Sequence, residues 1–287
     1  MNSSAAPSGN NQPRVESRSA PELLKRVASA LVLAAIALAA VIVSPWSFLA
    51  LVVIGAGLLA WEWGSLTRGN GFDGTSLIQA VSITALAIFT ALHRFDLAAF
   101  ILAAAAIAVT FCKTDRSRAH WALIGLVYVA LPACALVWLR SDPAFGLLAV
   151  LYLLAVVWTT DTASYIGGRS LGGPKFAPHI SPKKTWSGLI VGTLTPAFVG
   201  YAFGVYLGGT SPWILALVSI GLALACQIGD LLESAVKRHF KAKDMSQLIP
   251  GHGGLFDRID SLLLAAVVAG LIALRNPAAP GAGLLVW

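Results

Sequence analysis

Residues 230–260 read DLLESAVKRHFKAKDMSQLIPGHGGLFDRID, and apolar segments flank them on both sides. Five of the chain's 20 Lys and Arg residues and five of its 13 Asp and Glu residues fall in this stretch. Mixed charge between apolar runs has two readings: a solvated loop that keeps the topology in place, or a site where phosphates meet a metal ion. The flanks decide the fold. With 57% hydrophobic and 11% charged residues and a mean hydropathy of +0.78, the chain does not have the composition of a soluble globular protein. It is expected to be an all-α, polytopic integral membrane protein, because a backbone that crosses a bilayer must pair its polar groups inside helices.

Apolar windows long enough to cross, roughly 17–25 residues, fit at nine places: 24–43, 46–64, 76–92, 96–112, 120–139, 144–160, 187–207, 212–231 and 261–275. Residues 1–22 are small and polar and are expected to form a disordered cytoplasmic tail. Lys25 and Arg26 precede the first apolar run as they would in a signal peptide, but a second run follows after Ser44-Pro45-Trp46, so the pair reads as a retained helical hairpin. Residues 23–287 are read as one transmembrane catalytic domain without internal repeats. With the N-terminus in the cytoplasm, seventeen Lys and Arg residues lie on that side and three, Arg94, Arg140 and Arg275, on the other. That asymmetry predicts a multi-pass protein of the cell membrane whose charged loops face the cytoplasm. The net charge of +7 would suit nucleic acid, but no segment is a basic, aromatic-interleaved soluble module, and no nucleic-acid partner is expected. Cys112, Cys134 and Cys226 lie in or beside apolar runs with no CxxC or Cys/His cluster, so they read as packing residues.

A second polar stretch, residues 161–188, reads DTASYIGGRSLGGPKFAPHISPKKTWSG. Asp161 is expected to end an apolar helix, at a depth where a carboxylate is costly without a function. It would either bind metal or orient a lysine. Gly167, Gly168, Gly172 and Gly173 offer close backbone approach to a ligand and positive φ. Lys175, Lys183 and Lys184 supply cations, and Ser181 and Thr185 supply hydroxyls. Ser181-Pro182 is read as the start of the next helix, whose N-terminus favours anions.

In residues 230–260, continuation of the eighth helix to Phe240 would put Asp230, Ser234, Lys237 and Lys241 on one face. Glu233 lies beside that face and either serves the site or pairs with Lys237. Ile249-Pro250-Gly251 breaks a helix, and Gly253-Gly254 can shape an anion-binding concavity. Asp257 and Asp260, three apart, would share a face at the start of the last helix. Asp260 could instead pair or cap locally with Arg258 or Lys243. Carboxylates beside phosphates suit Mg²⁺, which takes one or two carboxylates plus substrate oxygens. His252 reads as an acid/base group, a phosphate contact or a turn stabiliser. Glu62, between Trp61 and Trp63, reads either as functional or as part of an interfacial aromatic belt.

Residues 234–260, SAVKRHFKAKDMSQLIPGHGGLFDRID, resemble the signature of phosphatidate cytidylyltransferases (CDP-diacylglycerol synthases), with no departure across it. The upstream stretch with Asp161, Tyr165, Gly167 and residues 181–186, SPKKTW, is similar to that family's second recurrent block, although the family often carries Glu or Gln where this chain has Ser187. The two blocks and their connecting helices cover residues 155–270. The resemblance implies a nucleotidyltransferase of phospholipid biosynthesis that uses CTP and phosphatidate, gives CDP-diacylglycerol and pyrophosphate, and forms a homodimer among membrane lipids. It implies Mg²⁺ or another divalent cation on Asp230 and Asp257, with Asp260 next. Asp230, Asp257, Asp260 and Lys237 would be catalytic. Ser181, Lys183, Lys184, Thr185, Ser234, Arg238, Lys243, His252, Gly253, Gly254 and Arg258 would bind the substrates. A polyprenol or phytol kinase would share the membrane helices but lack the block 252–260. A transporter would place its charges near the bilayer midplane. A CDP-alcohol phosphotransferase would show a paired-Asp motif that this chain lacks.

Overall fold

The computed structural model describes residues 20–112, 116–248 and 253–287. Their order is α1 (Ala20–Val43), α2 (Pro45–Arg68), α3 (Gly74–Ala91), α4 (Phe95–Phe111), α5 (Arg116–Arg140), α6 (Gly146–Leu171), β1 (Lys175–Ala177), β2 (Ser181–Thr185), α7 (Trp186–Leu194), α8 (Pro196–Leu207), α9 (Pro212–His239), α10 (Phe256–Ala273) and α11 (Pro280–Leu285). The two strands form one antiparallel hairpin. Six segments are long and apolar enough to cross a membrane: α2, α3, α5 from Arg118, α6, α9, and α7 with α8 taken together. The all-α membrane architecture therefore stands. The count of nine does not follow from these segments: the apolar parts of α1 and α4 are shorter, and α10 carries Asp257, Arg258 and Asp260 in its first turns. Residues 1–19 of the expected tail lie outside the described residues.

Local chemistry explains where the helices start. Ser44 and Ser47 form a reciprocal capping box at α2, each hydroxyl accepting the other's backbone N–H at 3.0 Å, with Pro45 in the first turn. That sharp restart makes α1 and α2 a hairpin. Asp73 caps α3 by accepting the Ser76 N–H at 2.8 Å, and Arg68 donates to it at 2.5 Å.

Helix α10 is shared by two cores. On one side Tyr152, Leu153, Leu222 and Cys226 of α6 and α9 pack with Ala265 and Ala269. On the other, Trp63, Leu126 and Ala130 of α2 and α5 pack with Phe256 and Leu263. Cys226 is the packing residue expected, and all three cysteines are free. At one end of the bundle, Arg140 donates to the Val41 carbonyl at 2.9 and 2.8 Å, Asp142 accepts the Ala282 N–H at 3.1 Å, and Arg275 lies 3.4 Å over the Trp287 ring. At the opposite end, Arg118 donates to the Arg68 carbonyl at 2.9 Å and Trp63 to the Trp121 carbonyl at 2.7 Å. The charged stretches gather at this second end.

Several boundaries differ from expectation. Helix α6 continues to Leu171, well past Asp161, because a short run of Thr, Ala, Ser and Gly does not stop a helix whose other face is packed. Residues 181–185 are a strand rather than a helix start, and the cap of α7 is Thr185, whose hydroxyl accepts the Gly188 N–H at 3.2 Å. Helix α9 ends at His239, so Lys241, at φ +57°, leaves the face it was expected to share with Asp230. The seventh span is broken at Thr195-Pro196, where Pro has no N–H to continue the ladder. The short α11 was not anticipated.

Candidate active site

The last turns of α9 present Asp230, Glu233, Ser234 and Lys237, and the first turns of α10 present Asp257 and Asp260. The two helices meet closely at Gly229, where a Cβ would stand 2.8 Å from the Asp260 carbonyl oxygen. This contact makes Asp230 and Asp260 neighbours across the helix pair.

Lys237 is held on both sides. Its Nζ lies 2.6 Å from Glu233 Oε2, one turn back along α9, and 2.6 Å from Asp257 Oδ1. The side chains of Lys237, Glu233 and Asp257 are 12, 1 and 7% exposed, so each charge depends on the others. Glu233 is thus the intrahelical partner of Lys237. The other oxygen of Asp257, Oδ2, accepts the N–H groups of Met245 at 3.0 Å and Gly254 at 2.9 Å. Burial alone would raise the Asp257 carboxyl, but the Lys237 hydrogen bond and these two amides outweigh it and hold it below the usual carboxylate range.

A third carboxylate joins the same segment from α2. Glu62 is fully buried, in neither an interfacial belt nor an open site. Its Oε1 accepts from Ser246 Oγ at 2.5 Å and from the Leu255 N–H at 2.8 Å, and its Oε2 accepts the Phe256 N–H at 2.7 Å. Gly254 leaves room for it: a Cβ there would lie 2.6 Å from Glu62 Oε1. Gly253 has φ +86°, where an L side chain is strained.

The hairpin and α6 close the other side. Lys184 Nζ pairs with Asp230 Oδ2 at 2.8 Å, and Ser234 Oγ reaches Asp230 Oδ1 at 3.5 Å. Asp161 accepts from Ser261 Oγ at 3.0 Å and has Asp230 and Lys184 as charged neighbours. Asp260 has Asp230 and Asp161 as its negative neighbours, and its Oδ1 accepts the Ser261 N–H at 2.8 Å. Three carboxylates from α6, α9 and α10 therefore stand together, with Lys184 and Lys237 at their edges. Among the described residues, no three His, Cys, Asp or Glu side chains converge as a ready-made metal cage.

The remaining expected residues are more scattered. Ser181 is half-buried in β2 and Lys183 is exposed beside it. Thr185 is buried and occupied with capping α7, and its hydroxyl lies 3.0 Å from that of Ser187, which donates to the Gly172 carbonyl. Ser187 thus ties α7 to the turn after α6. Arg238 donates to the Ile180 carbonyl at 3.3 Å and the Ala242 carbonyl at 3.1 Å, clipping the hairpin to α9. Lys243 and Arg258 are exposed. His252 lies outside the described residues. Gly167 and Gly168 serve helix packing rather than a ligand: a Cβ on Gly167 would come 2.7 Å from Val191 Cβ, and one on Gly168 would come 2.9 Å from Thr185 Oγ1. Gly172 and Gly173 do take positive φ, +63° and +104°.

One neighbour of the cluster carried no sequence signal. Tyr128 on α5 stacks on Phe256, and its buried hydroxyl has no hydrogen-bond partner among the described residues. Asp260, Glu233 and Asp230 are its charged neighbours. Two apolar grooves, one beside Trp61 and Phe72 and one beside Phe95 and Trp138, are lined by no residue of either polar stretch.

A helical membrane bundle with carboxylates and lysines gathered at one end is the class of protein this arrangement defines. The chain belongs to the cytidylyltransferase family, whose pattern matches residues 24–274. The match extends well upstream of residues 155–270, the part that carries the two recurrent blocks. Among its relatives, a protein of Brucella suis biovar 1 (strain 1330) named phosphatidate cytidylyltransferase is 38% identical over 208 residues, covering 72% of this chain and 77% of the relative. A protein of the same name from Rickettsia bellii (strain RML369-C) is 41% identical over 162 residues, covering 53% of this chain and 69% of the relative.

Proposed function

We propose that this chain transfers the cytidylyl group of CTP to phosphatidate, giving CDP-diacylglycerol and pyrophosphate, at a site facing the cytoplasm. The observation that carries this reading is the convergence of the two polar stretches. Lys184 from one pairs with Asp230 from the other, beside the Lys237–Asp257 pair, in a chain of the cytidylyltransferase family.

The chemistry asks little covalent work of the protein. A lipid phosphate oxygen attacks the α-phosphorus of CTP, a new P–O bond forms, and the bond to the bridging oxygen breaks as pyrophosphate leaves with its electron pair. The attacking phosphate is already anionic, so the site needs no Ser or Cys nucleophile. Positioning and charge neutralisation dominate such a transfer. Lys184 and Lys237 stand at the edge of the carboxylate group, where each can turn one N–H toward a phosphate oxygen. Lys183, Lys243 and Arg258, exposed at the same end, gather the remaining phosphate charge.

The donor set fits a divalent cation. Asp161, Asp230 and Asp260 are like-charged neighbours, and one or two carboxylates with substrate oxygens are what Mg²⁺ ordinarily takes. Asp230 and Asp260 would hold the ion. Asp257 is engaged at both oxygens and would contribute only by sharing Oδ1 with Lys237. When bound, the ion would neutralise charge developing on the phosphates. A homodimer in the cell membrane, with lipid around the bundle, completes the proposal.

The deciding experiment is pyrophosphate release by purified protein in detergent, with phosphatidate, each of the four NTPs and Mg²⁺. Release that needs CTP and phosphatidate together supports the reading. Lipid-dependent formation of a nucleoside diphosphate without pyrophosphate would replace it with a lipid kinase, and no turnover from folded protein would remove it.

A further inference from the structure

Helix α10 carries two of the site carboxylates, yet it has no cap of its own. The residue before its first turn is Leu255, which makes no side-chain cap hydrogen bond. The first amides of a helix need acceptors, and here a distant residue supplies them. Glu62 on α2 accepts the N–H groups of both Leu255 and Phe256, and the same carboxylate takes the hydroxyl of Ser246. Its partners therefore lie on both flanks of the segment between α9 and α10. Asp257 holds Met245 and Gly254 in the same way. Two carboxylates, one from each half of the chain, thus close this segment at its base. Asp257 also faces Lys237, whereas the partners of Glu62 are Ser246, Leu255 and the first residue of α10, Phe256.

We propose that Glu62 is the positioning residue of the site. It sets where α10 begins, and so fixes Asp257 and Asp260 against Lys237 and Asp230. This rests on the cytidylyl transfer proposed above. Several observations support a task beyond filling the core. The residue is 0% exposed, as a carboxylate is only when paired. Two of its three hydrogen bonds come from backbone N–H groups and the third from the Ser246 hydroxyl. Gly254 is the small residue that lets the carboxylate pass. A placement error of about 1 Å at such a site costs about 100-fold in rate.

Glu62→Gln preserves shape but turns one acceptor into a donor facing an N–H or hydroxyl. The control is Asp142→Asn, which alters a buried carboxylate at the opposite end of the bundle, where Asp142 accepts the N–H groups of Ala144, Phe145 and Ala282. Both variants are purified in detergent, and the folded fraction is measured. Turnover per folded molecule, KM for CTP and the Mg²⁺ concentration for half-maximal rate are then compared. For Glu62→Gln the expected result is a kcat about 10- to 100-fold lower, with a raised KM for CTP and a raised Mg²⁺ requirement. Asp142→Asn should match wild type per folded molecule. If both variants lose activity only in proportion to unfolded protein, the proposal is overturned. Hydrogen exchange at residues 254–257 without substrates reads the same idea independently of turnover. Faster exchange there in Glu62→Gln alone supports it, and unchanged exchange overturns it, even if wild type fails to release pyrophosphate from CTP and phosphatidate.

Discussion

Lys237 holds two carboxylates at once, so its removal and the removal of one partner have different consequences. Lys237→Met keeps the aliphatic stem but leaves Glu233 and Asp257 buried without a counter-charge. Breaking a buried pair in this way costs about 3–5 kcal/mol. The thermal midpoint, followed by tryptophan fluorescence in detergent, should fall steeply, with turnover lost. Glu233→Gln leaves Asp257 on Lys237 as its counter-charge and puts a neutral group in place of the second carboxylate, so the loss should be about 1–2 kcal/mol. Gly254→Ala acts differently again, since its methyl would lie 2.6 Å from Glu62 Oε1 and must displace either the carboxylate or the backbone. Turnover should drop by about tenfold or more while the bundle still folds, because the displaced atoms place the site rather than the core. Steady-state rates beside a melting curve separate the two effects.

At the scale of elements, the α6–α7 contact supports the hairpin that carries Lys184. Gly188 faces α6, and a Cβ there would stand 2.8 Å from the Ser164 carbonyl, a backbone atom that cannot swing away. Gly188→Ala should therefore push α7 outward and weaken its Thr185 cap, costing about 1–3 kcal/mol in thermal unfolding. It should also raise KM for CTP, because Lys184 sits next to that cap. Local pattern foretold some elements well. The continuation of the eighth helix beyond Asp230 holds as far as His239, and Asp257 and Asp260 do open α10. Elsewhere it misled. Ser181-Pro182 has the chemistry of a helix start, but pairing with β1 made it a strand, and the true cap came at Thr185. Glycines 167 and 168 looked like ligand-facing backbone because a sequence does not say whether a close neighbour is a phosphate or another helix. Glu62 was conspicuous between two tryptophans, yet its partners are 184–194 residues away and leave no local trace.

For the whole molecule, the charge count and the fold agree on two unlike ends. Arg94, Arg140 and Arg275 belong to the turns at one end, and the two polar stretches to the other. If the positive-inside rule sets the orientation, a cysteine-free background carrying Asn276→Cys should react with an impermeant maleimide from outside intact cells. Lys175→Cys should react only after the membrane is opened. The reverse pattern would turn the site outward, away from cellular CTP.

The α2 carboxylate also has a consequence for how the chain is made. Glu62 emerges from the ribosome long before Ser246, Leu255 and Phe256, so α2 is made with a carboxyl group whose hydrogen-bond partners do not yet exist. A chain cut short before residue 246 never supplies those partners. Termination before Ser246 is therefore expected to leave a product that is less stable as well as inactive, because a buried acceptor without partners is costly.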